Sequence, residues 1–426
     1  MATLAPVQEL QAQAAAAKKA SRELAKATTA QKDKALLAIA SGLKSSEEEI
    51  LAANEKDVKQ GRADGLNEAL IDRLLLNPSR LAGQAADVRS IAQLPDPIGE
   101  TFDARVLPNG LRLGRRRVPL GVIGTIYESR PNVTIDISCL CLKSGNAVVL
   151  RGGKEAIHSN KALANVVKKA LGAAGLPQDA VQLVENTDRA LVGEMLKLKQ
   201  YIDLMIPRGN ADLIRRVSAE AAMPVVAGGV GVCHTYIDAS AQVEMATAIV
   251  FNAKVQRPSV CNALDTVLVH KSIAQQALPI IGRDLAKAGV EMHCDPAALA
   301  ILQKAHIANL KPAVADDWGK EFLALTAAIK VVDDLEGALQ HIEHYGSGHT
   351  EAIVTSDYAA ANRFMDEVDA AAVLVNTSSR FTDGGQFGLG AEVGISTQKF
   401  HARGPMGLRE LTTYKWTVWG DGQVRP

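Results

Sequence analysis

The sequences GVIGTI at residues 121–126 and NAVVL at residues 146–150 decide the fold class. Both are short apolar runs rich in β-branched residues, as is typical of buried strands. The later strand-like runs lie at residues 181–184 and 201–206, and helical segments such as residues 159–171 and 189–198 separate them. This alternation of strand and helix requires crossover connections, which make neighbouring strands parallel. We therefore predict an α/β domain with a parallel sheet.

A second series of the same kind begins near Thr235. Its strand-like runs lie at residues 266–269, 352–354 and 372–375, with helices such as residues 272–288 between them. Residues 5 to about 90 read as helices before the first series. The loops at the carboxyl ends of parallel strands are where a dinucleotide would bind.

Two segments lie outside both series. The triplet Pro108-Asn109-Gly110 stands between alternating residues and predicts a β-hairpin over residues 105–113. The segment at residues 411–418 is β-prone, and a strand of this kind often pairs with another chain.

Length, charge and cysteine content limit the classes of function. A chain of 426 residues exceeds one ordinary core, so we expect two or three domains. Lysine plus arginine equals aspartate plus glutamate, 47 of each, which argues against nucleic acid or an acidic membrane as the main partner. The basic triplet Arg115–Arg117 is interpreted as a solvated strand edge. Five cysteines without C-x-x-C spacing favour a reducing compartment, and without a signal-peptide or membrane-spanning pattern we expect a cytoplasmic protein.

Common nucleotide and metal fingerprints are missing from the sequence. Neither G-x-G-x-x-G after a first strand, nor G-x-x-x-x-G-K-[ST], nor H-E-x-x-H occurs. His341, His344 and His349 cluster, but histidines beside a glycine-rich turn are more often a solvated helix end than a metal site. We predict no metal.

One segment, NAKVQRPSVCNA at residues 252–263, contains a candidate nucleophile, Cys261. Buried cysteines are usually inert packing residues. Arg257 lies close in sequence and a helix is expected nearby, and both would favour the thiolate, which is the nucleophilic form. The segment alone leaves packing and catalysis both open.

The segment around Cys261 resembles the active-site cysteine region of the aldehyde dehydrogenase superfamily. PLGVIG at residues 119–124 is similar to the P-x-G-V-x-G strand of that superfamily, and YESRPNV at residues 127–133 replaces its usual W-N-F-P. The further matches, in chain order, are residues 143–153, 206–209 and 227–229, Glu321-Phe322 and residues 375–385. Together they cover essentially the whole chain and resemble the branch that reduces L-glutamyl 5-phosphate.

This resemblance implies an aldehyde dehydrogenase-like α/β fold, with two Rossmann-like domains and a small β oligomerisation element. The implied NADP-binding domain comprises residues 1–102 and 119–229, and the implied catalytic domain comprises residues 230–409. Residues 103–118 and 410–426 would form the oligomerisation hairpin and tail strand, in a homodimer or homotetramer.

The resemblance also implies roles for single residues. Cys261 matches the nucleophile, and Glu321 matches the glutamate that holds the nicotinamide ribose. Hydrolytic members carry a glutamate that activates water where this sequence has Val226. Valine cannot be a general base, so an acyl phosphate, rather than a free acid, is the expected partner unless another residue supplies the base.

Two further departures concern the cofactor and the oxyanion. Lys154 stands where NAD-preferring members often have a ribose-binding glutamate, and with Arg151 and Arg208 it favours NADP, unless Lys154 points only into solvent. Ser129 or Arg130 replaces the oxyanion asparagine of the superfamily, so the backbone N–H of Cys261 is the one donor that remains clear.

The function implied is NADPH-dependent reduction of L-glutamyl 5-phosphate to L-glutamate 5-semialdehyde and phosphate, the second step of proline biosynthesis from glutamate. The expected substrate-binding residues, some of whose arginines could instead be structural, are Ser129, Arg130, Arg257, Ser378, Ser379 and Arg380. A complex with glutamate 5-kinase would protect the unstable acyl phosphate.

Three rival functions remain open from the sequence. A semialdehyde dehydrogenase would release a free acid, against which Val226 argues. A thiol hydrolase or acyltransferase would use Cys261 without nicotinamide, and a non-catalytic partner of the kinase would need no nucleophile at all.

Overall fold

The computed structural model describes residues 5–226 and 228–425. Its helices are α1 Ala5–Leu24, α2 Thr29–Ser45, α3 Glu47–Ala63, α4 Glu68–Leu74, α5 Pro78–Gln93, α6 Asn132–Lys143, α7 Ile157–Ala173, α8 Ala190–Met195, α9 Ala211–Glu220, α10 Val243–Val255, α11 Lys271–Lys287, α12 Pro296–Lys304, α13 Leu335–Tyr345 and α14 Tyr358–Glu367. Its strands are β1 Thr101–Val106, β2 Arg112–Pro119, β3 Val122–Tyr127, β4 Ala147–Gly152, β5 Val181–Leu183, β6 Leu204–Arg208, β7 Cys233–Ile237, β8 Leu264–His270, β9 Glu291–Cys294, β10 Leu310–Pro312, β11 Thr326–Val332, β12 Thr350–Val354, β13 Ala372–Val375, β14 Ile395–Ser396, β15 Gly404–Pro405 and β16 Thr412–Trp419.

The chain forms two compact units. Within the described residues, unit 1 comprises residues 5–226, 389–394 and 406–425, and unit 2 comprises residues 228–388 and 395–405. Residues 389–394 and 406–409 therefore cluster with unit 1, although the sequence-based division assigns them to the catalytic domain. Their contacts give a reason, because a Cβ at Gly394 would lie 2.6 Å from Nη1 of Arg208, and Arg409 forms an ion pair with Glu100 at 2.9 Å.

Unit 1 contains a parallel sheet of four strands in the order β5-β4-β3-β6. The predicted strand–helix alternation is confirmed here, and β3 and β4 are buried along their whole length. Tyr127 pairs with Gly152 on one side and with Arg208 on the other, so β3, β4 and β6 end at the same edge. The chain runs from β3 to β4 on one side and later returns to β6 on the other. This arrangement makes the carboxyl end of β3 a topological switch point, where parallel α/β sheets bind ligands.

The predicted strand at residues 201–206 is displaced towards its carboxyl end. The strand begins at Leu204 because Asp203 has another role. Its carboxylate accepts the N–H of Val122 at 2.8 Å and forms an ion pair with Lys18 at 2.7 Å. Asp203 thus joins the first helix to the start of β3.

Two motif residues, one at the end of α6 and one just beyond it, have structural roles. Lys143 is fully buried, and its ammonium donates to the carbonyl of Ala92 at 2.8 Å. Asn146 accepts the N–H of Gly121 at 2.9 Å and donates to the carbonyl of Leu411 at 2.7 Å. These bonds satisfy buried polar groups and connect the helices, the sheet and the tail of unit 1.

A separate antiparallel sheet of unit 1 has the order β1-β2-β16. The hairpin predicted at residues 108–110 joins β1 to β2, and the predicted tail strand is β16, which pairs with β2 of its own chain. The interpretation of Arg115–Arg117 as a strand edge is wrong, since β2 is the central strand. Arg115 instead lies over the rings of Tyr414 and Trp416, 4.7 and 4.6 Å from the ring centroids.

Unit 2 contains a parallel sheet of seven strands in the order β10-β9-β11-β8-β7-β12-β13, so the second predicted series is confirmed. Strands β7, β8 and β12 are almost wholly buried between helices. Because β11, β8 and β7 are parallel neighbours, the loops that precede them share the amino-terminal edge of this sheet. No helix within the described residues is long and apolar enough to cross a membrane.

The histidine cluster differs from its sequence-based interpretation. His341 and His349 are 4% and 0% exposed, so they are not a solvated helix end. The ring of His341 contacts those of Trp318 and Tyr345, and Lys330 lies 3.2 Å from its Nδ1. Within the described residues, no group of histidine, cysteine or acidic side chains has a geometry that could hold a metal.

Burial lowers the pKa of His341 to about 3 and that of His349 to about 4. In the unfolded chain a histidine titrates near about 6.5, so below that pH the unfolded state binds more protons than the folded state. Above about pH 6.5 these histidines therefore cause no loss of stability. As the pH drops from there towards the folded pKa of each histidine, the free energy of unfolding falls by up to about 1.4 kcal/mol per pH unit for that histidine.

We predict that His341→Phe reduces this acid sensitivity, because it keeps an aromatic ring and removes a titrating group. Denaturant unfolding at several pH values between about 4.5 and 7 should show a shallower loss of stability than in the wild type. The control is His344→Phe, which changes an exposed histidine of the same helix. An unchanged slope in His341→Phe would contradict the prediction.

Candidate active site

Cys261 lies in the turn between α10 and β8 and is partly exposed, whereas the other four cysteines are buried. This turn belongs to the amino-terminal edge of the unit 2 sheet. The preceding helix ends at Val255, so α10 presents its carboxyl end, which carries partial negative charge. The expectation that a nearby helix favours the thiolate is therefore wrong for α10.

Gly231 packs directly against the main chain of Cys261. A Cβ atom at Gly231 would lie 1.9 Å from the carbonyl oxygen of Cys261 and 2.7 Å from its Cα, so only glycine fits. The N–H of Gly231 donates to Oε1 of Glu321 at 3.1 Å. One glycine thus contacts both the candidate nucleophile and the candidate ribose-binding carboxylate.

Cys233 lies beside this contact and can be excluded as the nucleophile. Its Sγ donates to the carbonyl of Cys261 at 3.2 Å, which fixes the turn. Burial raises the pKa of the Cys233 thiol well above its ordinary value, with smaller contributions from Asp265 and Glu351. A buried thiol of raised pKa is inert.

The loop at residues 378–382 is joined to the Cys261 turn by hydrogen bonds. Ser379 is fully buried and donates to the carbonyl of Asn262 at 2.7 Å, so it is a structural residue of the turn. Asn262 donates from Nδ2 to the carbonyl of Thr382 at 2.8 Å. Ser378 is also buried, and its hydroxyl accepts the N–H of Arg380 at 3.3 Å.

Arg380 and Arg257 bring positive charge to the same place. Burial is the main cause of the lowered pKa of Arg380, followed by the charge of Arg257; Asp383 and Cys261 act in the opposite direction. Nε of Arg380 donates to the side chain of Gln256 at 2.7 Å. The guanidinium of Arg380 therefore lies within electrostatic range of both Arg257 and Cys261. Positive charge at such a place is of the kind that favours a thiolate and an anionic ligand.

Glu321 is partly buried in the loop before β11. Burial raises the pKa of its carboxyl, and the hydrogen bond from Gly231 acts in the opposite direction. The next N–H, that of Phe322, donates to Oδ1 of Asp265 at 3.1 Å.

Asp265 and Lys254 are not among the site residues predicted from the sequence. Both are buried and lie 3.7 Å apart as an ion pair. A signal was present, because Asp265 interrupts the apolar strand β8 and Lys254 interrupts the apolar helix α10. A charge at a core position of this kind needs a partner and often supports a site.

The remaining predicted residues lie in unit 1, at the carboxyl edge of its sheet. Ser129 follows β3 with φ at +48°, and its N–H and hydroxyl both donate to Oε1 of Glu155, at 2.6 and 3.0 Å. Arg130 is the next residue along this loop. A non-glycine residue with positive φ is uncommon and requires local support, which Glu155 supplies here.

Arg151, Lys154 and Arg208 lie at the same edge. Arg151 is buried and donates from Nη2 to the carbonyl of Thr187 at 2.8 Å, while its Nε has no hydrogen-bond partner within the described residues. Burial lowers the pKa of Arg151, and Glu155 opposes this shift. Lys154 is exposed, with Nζ 3.4 Å from Asp64. A Cβ at Gly394 would lie 2.6 Å from Nη1 of Arg208, so that guanidinium is packed close to the main chain.

These donors fit a phosphorylated nucleotide. The exposed ammonium of Lys154 and the unpaired Nε of Arg151 are groups that bind phosphate oxygens. Val226 is buried and cannot serve as a base, while Ala227 of the same motif lies outside the described residues. The structure therefore places Cys261, Arg257, Ser378, Ser379, Arg380 and Glu321 in unit 2, and Ser129, Arg130, Arg151, Lys154 and Arg208 in unit 1.

Comparisons with known proteins identify the family to which the sequence is similar. The sequence profile of the aldehyde dehydrogenase family matches residues 2–326. A gamma-glutamyl phosphate reductase of Dehalococcoides mccartyi is 59% identical over 417 residues, covering 98% of each chain. One of Roseiflexus castenholzii is 55% identical over 415 residues, covering 96% of this chain and 98% of the relative.

A solved structure gives the same result. The crystal structure of gamma-glutamyl phosphate reductase from Thermotoga maritima superposes with a TM-score of 0.95 at 48% identity, covering 98% of this chain and 100% of that one. The resemblance to the branch that reduces L-glutamyl 5-phosphate and the α/β fold predicted from the sequence are both confirmed.

We predict that Gly231→Ala displaces the Cys261 turn, because the added methyl would meet backbone atoms that cannot rotate away. The rate of Cys261 alkylation by iodoacetamide, followed by mass spectrometry, should change by about tenfold or more. Gly337→Ala is the matched control, since its added methyl would make only ordinary contacts, the nearest at 3.6 Å. Equal alkylation rates in Gly231→Ala and wild type would show that the close packing does not position Cys261.

Proposed function

The chain belongs to the aldehyde dehydrogenase family, and from that membership we propose that it reduces L-glutamyl 5-phosphate to L-glutamate 5-semialdehyde and phosphate. The observation that carries the proposal is the turn of Cys261, a partly exposed thiol within electrostatic range of the Arg380 guanidinium, which is also within range of Arg257. The close relatives are named gamma-glutamyl phosphate reductases, which supports the substrate. The reaction would be the second step of proline biosynthesis from glutamate, in the cytoplasm.

In the proposed mechanism, the thiolate of Cys261 attacks the acyl carbon of the substrate and expels phosphate. A carbon–sulfur bond forms as the carbon–oxygen bond to phosphate breaks, and the product is a thioester on Cys261. Phosphate is a good leaving group, so little help from a general acid is needed. Arg257 and Arg380 would bind the anionic ends of the substrate, and the N–H of Cys261 would stabilise the oxyanion.

The cofactor is proposed to be NADPH, and its proposed binding residues are Arg151, Lys154, Arg208 and Glu321. When bound, it supplies the hydride that reduces the acyl group. The resulting tetrahedral adduct on Cys261 collapses by breaking the carbon–sulfur bond, which releases the aldehyde and restores the thiolate. Lys154, being exposed, would bind the 2′-phosphate, which distinguishes NADP from NAD.

The proposed role of Ser129 and Arg130 is to bind substrate from the loop after β3. Ser379 is proposed to act less directly, since its hydroxyl is already used by the carbonyl of Asn262. Ser378 is likewise occupied by the N–H of Arg380, so both serines would shape the loop that presents Arg380. Arg380 then becomes the main substrate-binding group of this loop.

A semialdehyde dehydrogenase that releases a free acid is the second candidate. It would need a base to activate water, and Val226 cannot be one. Glu321 is the observation in its favour, because burial raises the pKa of this carboxyl towards the range of a general base. The two functions differ in whether phosphate is required.

We predict that the reverse reaction, followed as NADP reduction with glutamate 5-semialdehyde, requires phosphate. Phosphate is expected to attack the thioester because Val226 stands where hydrolytic members carry the base that activates water. Cys261→Ser should lose about a thousandfold or more of this rate, since a serine hydroxyl is a far weaker nucleophile at neutral pH.

Cys294→Ser serves as the control, because it changes a buried cysteine of the same unit. A full rate without phosphate would favour the free-acid dehydrogenase, and an active Cys261→Ser would exclude this nucleophile. In the same assay, Lys154→Glu should lower the preference for NADP over NAD by about tenfold. Equal preference in Lys154→Glu and wild type would contradict the role of Lys154.

The assembly is proposed to be a homodimer or homotetramer. The sheet of β1, β2 and β16 is its proposed oligomerisation element, supported by the exposed Trp416 and Trp419 on β16. Exposed aromatic side chains on an edge strand favour pairing with another chain. A transient complex with glutamate 5-kinase remains part of the proposal, and sedimentation of the chain alone and with the kinase would test both.

A further inference from the structure

The buried ion pair of Lys254 and Asp265 contacts both parts of the unit 2 site. Lys254 is fully buried and Asp265 is 2% exposed, with Nζ 3.7 Å from Oδ1. Removing two charges from water is costly, and their attraction alone often does not repay that cost. The ion pair itself is therefore weak evidence for a stabilising role. Its hydrogen bonds show which segments it connects.

The hydrogen bonds of the pair go to the loop that carries Glu321. Oδ1 of Asp265 accepts the N–H of Phe322 at 3.1 Å, and Nζ of Lys254 donates to the carbonyl of Ala324 at 3.1 Å. The ammonium also lies 5.9 Å from the centroid of the Phe322 ring. The residues after Glu321 are thus fixed at two backbone points, one by each partner.

The second oxygen of Asp265 reaches the wall behind Cys261. Oδ2 accepts the N–H of Cys233 at 3.5 Å, and Cys233 in turn donates from Sγ to the carbonyl of Cys261 at 3.2 Å. Gly231, two residues earlier, contacts Cys261 and donates to Glu321. One carboxylate therefore accepts from both of the segments that hold the candidate nucleophile and the candidate ribose-binding group.

We propose that Lys254 and Asp265 are positioning residues, which set the Glu321 carboxylate and the Cys261 turn relative to each other. The proposal rests on the proposed function, because it assigns to Glu321 the binding of the cofactor and to Cys261 the attack on substrate. Neither residue of the pair touches substrate or cofactor. They act through the backbone of Phe322, Ala324 and Cys233.

The chemistry of aspartate makes the pair specific. Two N–H groups, from Phe322 and Cys233, point at the two oxygens of Asp265. In Asp265→Asn one oxygen is replaced by an NH₂ group, which cannot accept, so one of the two N–H groups loses its partner. Lys254→Met fills the same space without a charge and releases the carbonyl of Ala324.

The test is the double variant Lys254→Met/Asp265→Asn, compared with both single variants. Each single variant leaves one buried partner without its counterpart and should have a lower Tm. The double variant removes that imbalance, so its Tm should return towards wild type. If the pair positions the site, the KM for NADPH should stay raised by about tenfold, and the alkylation rate of Cys261 should stay altered by a similar factor.

The matched control is the buried pair Lys32 and Asp96 of unit 1, changed in the same way to Lys32→Met/Asp96→Asn. It should leave the KM for NADPH and the alkylation rate of Cys261 as in the wild type. A Lys254→Met/Asp265→Asn enzyme with the KM and the alkylation rate of the wild type would overturn the proposal, since the pair would then not position the site. If the double variant does not fold, the same test is made with Asp265→Asn, whose KM for NADPH and alkylation rate of Cys261 are measured well below its Tm.

The proposed function is tested separately by the wild type. If the wild-type chain shows no phosphate-dependent NADP reduction, the proposed function fails and the KM comparison is void. The alkylation rate of Cys261 can be measured without substrate or cofactor. The measurement reports on this thiol because it is partly exposed, whereas the other four cysteines are buried. An altered rate in the double variant then supports the positioning role, and an unchanged rate overturns it.

Discussion

The contact between the main chains of Gly231 and Cys261 is the constraint on which the unit 2 site depends. No side chain fits at Gly231, because a Cβ would lie 1.9 Å from the carbonyl oxygen of Cys261. The contact lets one N–H reach Glu321 while the thiol of Cys233 holds the same carbonyl from the other direction. The candidate nucleophile is therefore held by backbone packing, and Asp265, paired with Lys254, accepts hydrogen bonds from the segments beside this contact.

The two units contribute different chemistry to the proposed reaction. Unit 2 contributes the thiol, two guanidinium groups and a carboxylate of raised pKa at the amino-terminal edge of its sheet. The proposed phosphate-binding side chains of unit 1 lie at the carboxyl edge of its sheet, beside the switch point at β3. A carboxyl-edge site is the ordinary place for a dinucleotide in a parallel sheet. The proposed covalent step takes place on a residue of a loop, the turn between α10 and β8.

Much of the fold could be predicted from the sequence, because strand and helix alternate with clear periodicity. The strand predicted from residue 201 begins later in the structure. The reason is that the carboxylate of Asp203 accepts a hydrogen bond at the start of β3, so Asp203 is not part of β6. The prediction that Arg115 lies at a strand edge is wrong. The pairing of β16 with β2 makes β2 the central strand, and the sequence does not show this pairing. The interpretation of His341 and His349 is wrong because the sequence does not show that His234 and Trp318 contact the ring of His341, or that Cys233 lies beside His349.

Site residues that belong to a sequence motif could be predicted, whereas residues that only packing brings to the site were harder to predict. Cys261 and its neighbour Arg257 stand out in one segment, whereas Lys254 and Asp265 are single charges in apolar elements and acquire a role only through contacts with Phe322 and Cys233. The proposed thioester on Cys261 can be detected by mass spectrometry of the chain incubated with NADP and glutamate 5-semialdehyde without phosphate. We expect an acyl adduct on the Cys261 peptide that disappears when phosphate is added. Absence of the adduct, or its equally fast loss in water alone, would exclude a Cys261 thioester that requires phosphate for its release.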